Sequence, residues 1–288
     1  MARRVERLPP ELAERLRAVR GFVLDLDGTL VLGDRRQHRL RPLPGAVELT
    51  RWLDTVGLPY RIFTNGTALA PRDYARRLRA AGFTVADDAV LTPADSAVDL
   101  FRRRRYERVL ALSSGLVEPL REAGFGVVEP RGRPRADAVL VGLHREFTMD
   151  HLEAACHAVW GGAAVYSSSQ VAFFAATGGR ALGTSRAISA MISSVTGCRV
   201  ELVGKPSRHA LGGAGRRLGV RPRDLAVVGD DPDLEVRMAL RGRALAIAVC
   251  TGLAGPDTFA GRPEAARPHL TLSGVDQLLA LCRRVHAD

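Results

Sequence analysis

The sequence predicts an α/β fold: a parallel sheet covered on both faces by helices, with a second α/β domain inserted into the first. Three observations lead there. Short, continuously apolar runs recur along the 288 residues. Stretches with apolar residues at helical spacing separate many of them, and polar clusters fall just beyond several of the runs. Continuous apolar strands alternating with helices belong to sheets buried on both faces.

Taken in order, Glu11–Arg20 after Pro9-Pro10 reads as a short helix. Leu12, Leu16 and Val19 share a face, Pro10 suits its start and Gly21 its stop. Phe22–Leu26 is an apolar run ending in acidic residues and Gly28, hence a buried strand. Further strands are expected at Tyr60–Phe63, Val109–Leu112, Ala138–Leu143, Ala163–Tyr166, Val200–Val203, Leu225–Val228 and Ala244–Val249. Gly45–Val56, Pro71–Ala81 and Met149–Val159 read as helices. The acidic, Thr-Asn-Gly, Gly-Lys-Pro and Gly-Asp-Asp clusters follow four of these runs. The stretch from about residue 89 lacks such clusters but has strands of its own. The expected organisation is therefore 1–88 core, 89–180 inserted α/β cap, and 181–288 core.

Composition narrows the function classes. The longest apolar run, Ala244–Cys250, falls far short of the ~18 residues of a spanning helix, so no membrane association is expected. The charged N-terminal segment has no apolar export core, and the four cysteines form no close pair. Both features lead to the expectation of a cytoplasmic protein. The net charge of +11 suggests nucleic acid, but the arginines are scattered and aromatic residues make up only 5% of the chain. An Arg-rich, non-catalytic nucleic-acid-binding module is the alternative that this charge leaves, and no nucleic-acid partner is expected. A positive field also attracts anionic substrates.

Among the 42 basic residues a single one, Lys205, is a lysine. Where arginine serves everywhere else, a lysine indicates a need for a compact ammonium on a flexible stem. The strongest local signal is Asp25-Leu26-Asp27-Gly28-Thr29. Side chains two apart on an extended chain point the same way, so two carboxylates face one place at a strand end. A hard cation with oxygen ligands, such as Mg²⁺, relieves their repulsion.

In this segment the sequence resembles the haloacid dehalogenase superfamily, whose first motif is Asp-x-Asp-x-Thr. Thr64, Lys205 and Asp230 match its second, third and fourth motifs in order. Together with Gly33, Val141-Gly142-Leu143 and Val203–Pro206, the pattern resembles the 4-nitrophenylphosphatase and phosphoglycolate phosphatase branch. The resemblance implies a three-layer Rossmann-like core with a type II α/β cap. It also implies Mg²⁺-dependent hydrolysis of a small phosphate monoester of the sugar phosphate, phosphoglycolate or nucleotide type. Asp25 would be the nucleophile, forming an aspartyl-phosphate, and Asp27 the general acid and base, aided by a partly desolvated site. Thr64, Gly28, Asn65 and Gly66 would hold the phosphoryl oxygens, and Lys205 would neutralise charge. The metal ligands would be the Asp25 carboxylate, the Asp27 carbonyl and the Asp230 carboxylate. Asp231 ranks ahead of Asp233 and Glu235 as a further metal support. A homodimer through the cap is implied by resemblance alone.

The cap departs from the family pattern. Ser167-Ser168-Ser169-Gln170-Val171 lacks an acid that many relatives carry, and many also have an aspartate near His144. Phe173-Phe174 and Gly183-Thr184-Ser185 also fall in this region. The inserted segment has no lysine for Schiff-base phosphonate cleavage. Asp27 and Asp230 have no use in a dehalogenase. A phosphotransferase built on the same aspartyl-phosphate remains the enzymatic alternative.

Overall fold

The computed structural model describes residues 8–33, 40–176, 179–252 and 254–287. The chain divides into two compact units. The first comprises Met1–Thr64, Ala75–Val90 and Ala214–Asp288, the second Asn65–Tyr74 and Leu91–Gly213.

The first unit is built on a six-stranded sheet. Its order is Leu270–Leu272, Leu245–Val249, Leu225–Gly229, Gly21–Leu24, Tyr60–Phe63, and the edge strand Val90–Leu91, where the chain leaves the unit. The first five strands pair in parallel. Every residue of Gly21–Leu24, Leu225–Gly229 and Leu245–Val249 is buried, as strands covered on both faces must be. The chain runs outward in one direction from Gly21–Leu24 to Tyr60–Phe63. It later returns to Leu225–Gly229 on the other side and continues outward. The order therefore reverses between Gly21–Leu24 and Leu225–Gly229, and ligands of doubly wound sheets bind beyond such a reversal. The helices Pro10–Arg17, Ala46–Val56 and Val275–Ala287 pack on one another within this unit.

The second unit has its own parallel sheet, ordered Val200–Leu202, Ala164–Ser167, Ala138–Val141, Arg108–Leu112 and Gly126–Val128. Alternate side chains divide its core in two. Val109, Ala111, Ala138, Leu140 and Tyr166 meet the helices Pro93–Arg104 and Ser114–Glu122. Leu110, Leu112, Val139, Val141 and Val165 meet Met149–Trp160 and Thr184–Thr196. The period-two register thus makes a three-layer unit by itself. It extends past residue 180, because the helix Thr184–Thr196 covers this sheet and Val200–Leu202 extends it. The buried Tyr166 hydroxyl is satisfied by Arg104 and by Tyr106 at 3.2 Å. Arg104 and His209 in turn share Glu201, at 2.7 and 2.9 Å.

This second sheet also reverses order, between Arg108–Leu112 and Ala138–Val141, but its crevice is filled by the chain itself. Ser113 Oγ lies 2.5 Å from the Thr67 carbonyl and 2.9 Å from that of Leu143. The Leu143 N–H donates to Thr67 Oγ1 at 2.6 Å. A Cβ on Gly142 would come within 2.7 Å of Thr67 Oγ1 and 2.6 Å of Ser113 Cβ, so only glycine admits this plug. Among the described residues no helix is long and apolar enough to cross a membrane.

Candidate active site

Asp25 stands one residue beyond the strand Gly21–Leu24. Its N–H donates to Val228 O at 2.9 Å, continuing the parallel ladder and fixing the backbone under the carboxylate. The side chain is buried, and its Oδ2 accepts from the buried Thr29 hydroxyl at 3.0 Å. The chain then folds back sharply. Leu30 and Val31 both donate to Leu26 O, and Gly28 donates to Val31 O at 2.8 Å. Gly28 has φ +84°, which L side chains rarely adopt, and a Cβ there would lie 2.6 Å from Asp230 Oδ2. The turn is tied down by Thr251 Oγ1, which donates to Gly28 O at 2.6 Å.

Asp27 is exposed, which corrects the expectation of a partly desolvated general acid. The turn that buries Asp25 carries the second carboxylate outward. Asp27 Oδ2 accepts a long hydrogen bond, 3.4 Å, from the buried Thr64 hydroxyl at the end of Tyr60–Phe63.

Asp230 ends the neighbouring strand Leu225–Gly229, on the far side of the reversal point from Asp25. The Asp25, Asp230 and Glu235 carboxylates are all buried, with one ligand oxygen from each lying within 4.8 Å of the others. Among the described residues this is the one group of three or more His, Cys, Asp or Glu side chains so arranged. Two unit charges at such a distance repel by about 3–4 kcal/mol at an effective dielectric near 20. A divalent cation relieves that repulsion. A set made wholly of carboxylate oxygens suits hard Mg²⁺ rather than zinc or copper.

Glu235, not the higher-ranked Asp231, joins this group. Pro232–Val236 forms a π-helical turn, a geometry frequent at functional sites. Asp231 caps that turn: its Oδ1 accepts from the N–H groups of Asp233 at 2.7 Å and Leu234 at 3.2 Å. Asp233 is held by Arg262 through two bonds of 2.9 and 2.7 Å, and this hydrogen-bonded guanidinium lowers its pKa. Glu235 instead turns inward. Its Oε2 accepts from the Asp231 N–H at 3.2 Å, and its side chain lies against bare Gly229. The wider turn re-aims the glutamate, and residue spacing alone did not reveal it.

In the second unit, Asn65 meets Lys205. Lys205 N–H donates to Asn65 Oδ1 at 2.8 Å, and Asn65 Nδ2 donates to Lys205 O at 3.0 Å. The Lys205 side chain is 2% exposed, a burial that lysine tolerates only with a partner or a task. The strand before it, Val200–Leu202, belongs to the five-stranded sheet, whereas the strands before Asp25, Thr64 and Asp230 belong to the six-stranded one.

The divergent cap segments come together within this unit. The His144 N–H donates to Thr184 Oγ1 at 3.2 Å, and the Ser168 and Ser185 hydroxyls lie 3.1 Å apart. A Cβ on Gly183 would fall 1.8 Å from Val171 O. The His144 ring stacks edge-on with Phe147 and His151, and burial pushes its pKa below the usual imidazole value. Its Nε2 is buried with no hydrogen-bond partner among the described residues. Phe173 is exposed, while the Phe174 side chain lies outside the described residues.

The chain resembles known proteins in sequence and in fold. The haloacid dehalogenase-like hydrolase family matches residues 22–126, and a second HAD-hydrolase-like family matches residues 202–278. The chain is 28% identical over 221 residues to a sugar-phosphatase of Bacillus subtilis, covering 76% of this chain and 78% of that protein. A 4-nitrophenylphosphatase from Thermotoga maritima superimposes with a TM-score of 0.82 at 25% identity, covering 92% of this chain and 98% of that one. A glycerol phosphate phosphatase from Mycobacterium tuberculosis, solved with magnesium, gives a TM-score of 0.80 at 25% identity, over 92% of this chain and 77% of that one. With acidic residues beyond two adjacent strands of a doubly wound sheet and matches of this breadth, the chain belongs to the haloacid dehalogenase-like hydrolases and stands among their phosphatases.

Proposed function

We propose that the chain hydrolyses a small phosphate monoester through an aspartyl-phosphate on Asp25, with Mg²⁺ as cofactor. The observation that carries this reading is the buried trio of Asp25, Asp230 and Glu235 beyond the reversal point of the six-stranded sheet. Asp25, Asp230 and the Asp27 carbonyl would hold the ion, with Glu235 supporting it. When bound, the ion supplies positive charge beside the reacting phosphoryl group.

The protein residues divide the remaining work. The Asp25 carboxylate is the attacking group, and Thr29 donates to its Oδ2. Attack forms an O–P bond and breaks the ester O–P bond. The leaving alkoxide takes a proton from Asp27, which then removes one from the water that cleaves the acyl phosphate. The Thr64 hydroxyl, bonded to Asp27, keeps that carboxyl oriented near the strand end. Asn65 and Gly66 would offer backbone N–H groups to the phosphoryl oxygens, Gly28, whose N–H is taken by Val31 O, would let the backbone turn close beside them, and Lys205 would neutralise charge. Sugar phosphates head the substrate class, because the curated relatives are sugar phosphatases.

The deciding experiment measures phosphate release from a panel of sugar phosphates, phosphoglycolate and nucleotides. It compares wild type with Asp25→Asn, with Mg²⁺ and with excess EDTA. Wild type should turn over at least one ester only with Mg²⁺, and Asp25→Asn should release none. Undiminished turnover by Asp25→Asn would sink the covalent mechanism, and undiminished turnover in EDTA would sink the role of the metal.

A further inference from the structure

We propose that Asn65 is a positioning residue for Lys205, its carboxamide fixing the backbone from which the lysine side chain reaches. The inference rests on the reading of Lys205 as the charge-neutralising group.

The grip has two points. Lys205 N–H donates to Asn65 Oδ1 at 2.8 Å and Asn65 Nδ2 donates to Lys205 O at 3.0 Å, across 140 residues of sequence. The partners dictate the amide's orientation, since a backbone N–H can only donate and a carbonyl only accept. Both polar groups of one residue are thus held as a neighbouring strand would hold them, but by a single side chain. Aspartate could not donate, and glutamine would reach one methylene too far.

The residue before the lysine is shaped for this approach. A Cβ on Gly204 would fall 2.6 Å from Asn65 Oδ1 and 2.0 Å from Ser168 O, so only glycine lets the Lys205 segment lie between them. Beyond the lysine, Ser207 Oγ donates to Val203 O at 2.9 Å and closes the loop on itself. Lysine carries four rotatable carbons, so a fixed backbone removes the freedom that would otherwise let the ammonium wander. Asn65 follows Thr64 directly in sequence, so the second motif would both contact phosphate and hold the third motif's lysine in register.

The test is a double-mutant cycle on the full chain, with 4-nitrophenyl phosphate and saturating Mg²⁺, checking each variant's thermal melt. Asn65→Ala should lower kcat by roughly 10²-fold, the loss expected from a displaced catalytic group, with KM changed by less than about threefold. In a Lys205→Ala background the same substitution should cost less than about threefold, because the group it positions is gone. Asn65→Asp is nearly isosteric, keeps the acceptor and loses the donor, and should fall between wild type and Asn65→Ala. It carries the test if the alanine variant does not fold, with the same requirement of non-additivity. Equal losses in both backgrounds, or wild-type kcat in Asn65→Ala, overturn the positioning role while leaving Lys205 as proposed. A Lys205→Ala enzyme as active as wild type overturns the reading of the lysine itself, and the positioning role with it.

Discussion

Glu235 lies with its side chain over the bare α-carbon of Gly229: a Cβ on that glycine would fall 2.1 Å from Glu235 Cγ. This contact, together with the π-helical turn, brings the glutamate to Asp25 and Asp230. Removing its charge should therefore weaken the metal. For Glu235→Gln we expect the Mg²⁺ concentration giving half-maximal phosphate release to rise about 10–100-fold, the usual cost of losing a metal-supporting partner. Asp231→Ala removes the cap of that turn. It should cost about 1 kcal/mol of stability and leave the Mg²⁺ midpoint within about twofold. Equal midpoints in both variants would return Asp231 to the position that proximity in sequence gave it.

Gly252 offers a test that replaces no carboxylate. A Cβ there would lie 1.6 Å from Asp230 Oδ2, so the side chain of Asp230 must move to admit it. Gly252→Ala should destabilise the protein by about 1–3 kcal/mol, as overpacking does. It should also reduce the rise in melting temperature that Mg²⁺ produces. A melt unchanged from wild type with and without Mg²⁺ would show that Asp230 can yield without consequence.

Thr29 is fully buried and donates to Asp25 Oδ2 at 3.0 Å. Thr29→Val keeps the volume and deletes this donor to the nucleophile. The expected result is a fall in kcat of about tenfold or more at near-constant KM, since misaligned attack raises the barrier without weakening binding. Thr29→Ser should recover most of the loss. If valine and serine behave alike, packing rather than the hydrogen bond accounts for the residue.

Much of this arrangement is legible in the sequence. The expected strands coincide with observed ones: Tyr60–Phe63 has the same limits in both, and Leu225–Gly229 runs one residue longer than its apolar run. Interior strands must be apolar on both faces, so burial writes them plainly. Val90–Leu91, Gly126–Val128 and Leu270–Leu272 are absent from the expected strands, since two or three residues give no periodicity, whereas the equally short edge strand Val200–Leu202 falls within an expected one. The hairpin of Phe173–Ala176 with Gly179–Leu182 escaped as well. The acidic strand ends at Asp25 and Asp230 were visible because polar residues interrupt apolar runs there. Glu235 was not, since its direction depends on a widened helical turn. The grip of Asn65 on Lys205 had no signal either, because a side chain holding a backbone 140 residues away leaves no spacing to read.

The same kind of buried polar contact sets a dependence on pH outside the candidate site. His269 lies within the first unit with its pKa held below the usual value of about 6.5, by burial first and by the charge of Arg15 second. The Ala246 N–H donates to its Nδ1 at 2.9 Å, so protonation of that nitrogen would break the bond. The folded state therefore holds the neutral ring while the unfolded chain takes a proton more readily. In the window between the lowered folded pKa and about 6.5 the unfolded chain binds more protons, so stability rises with pH there. This contribution is complete above about pH 6.5 and is lost as pH falls through the window to the folded pKa. His144, also lowered by burial, acts with the same sign in the second unit. Melting temperature should fall as wild type is taken from about pH 7.5 to 5.5. His269→Gln, which retains an acceptor for Ala246 but has no titrating ring, should fall less. A variant with the wild-type slope would assign the acid sensitivity to other groups, His144 first among them.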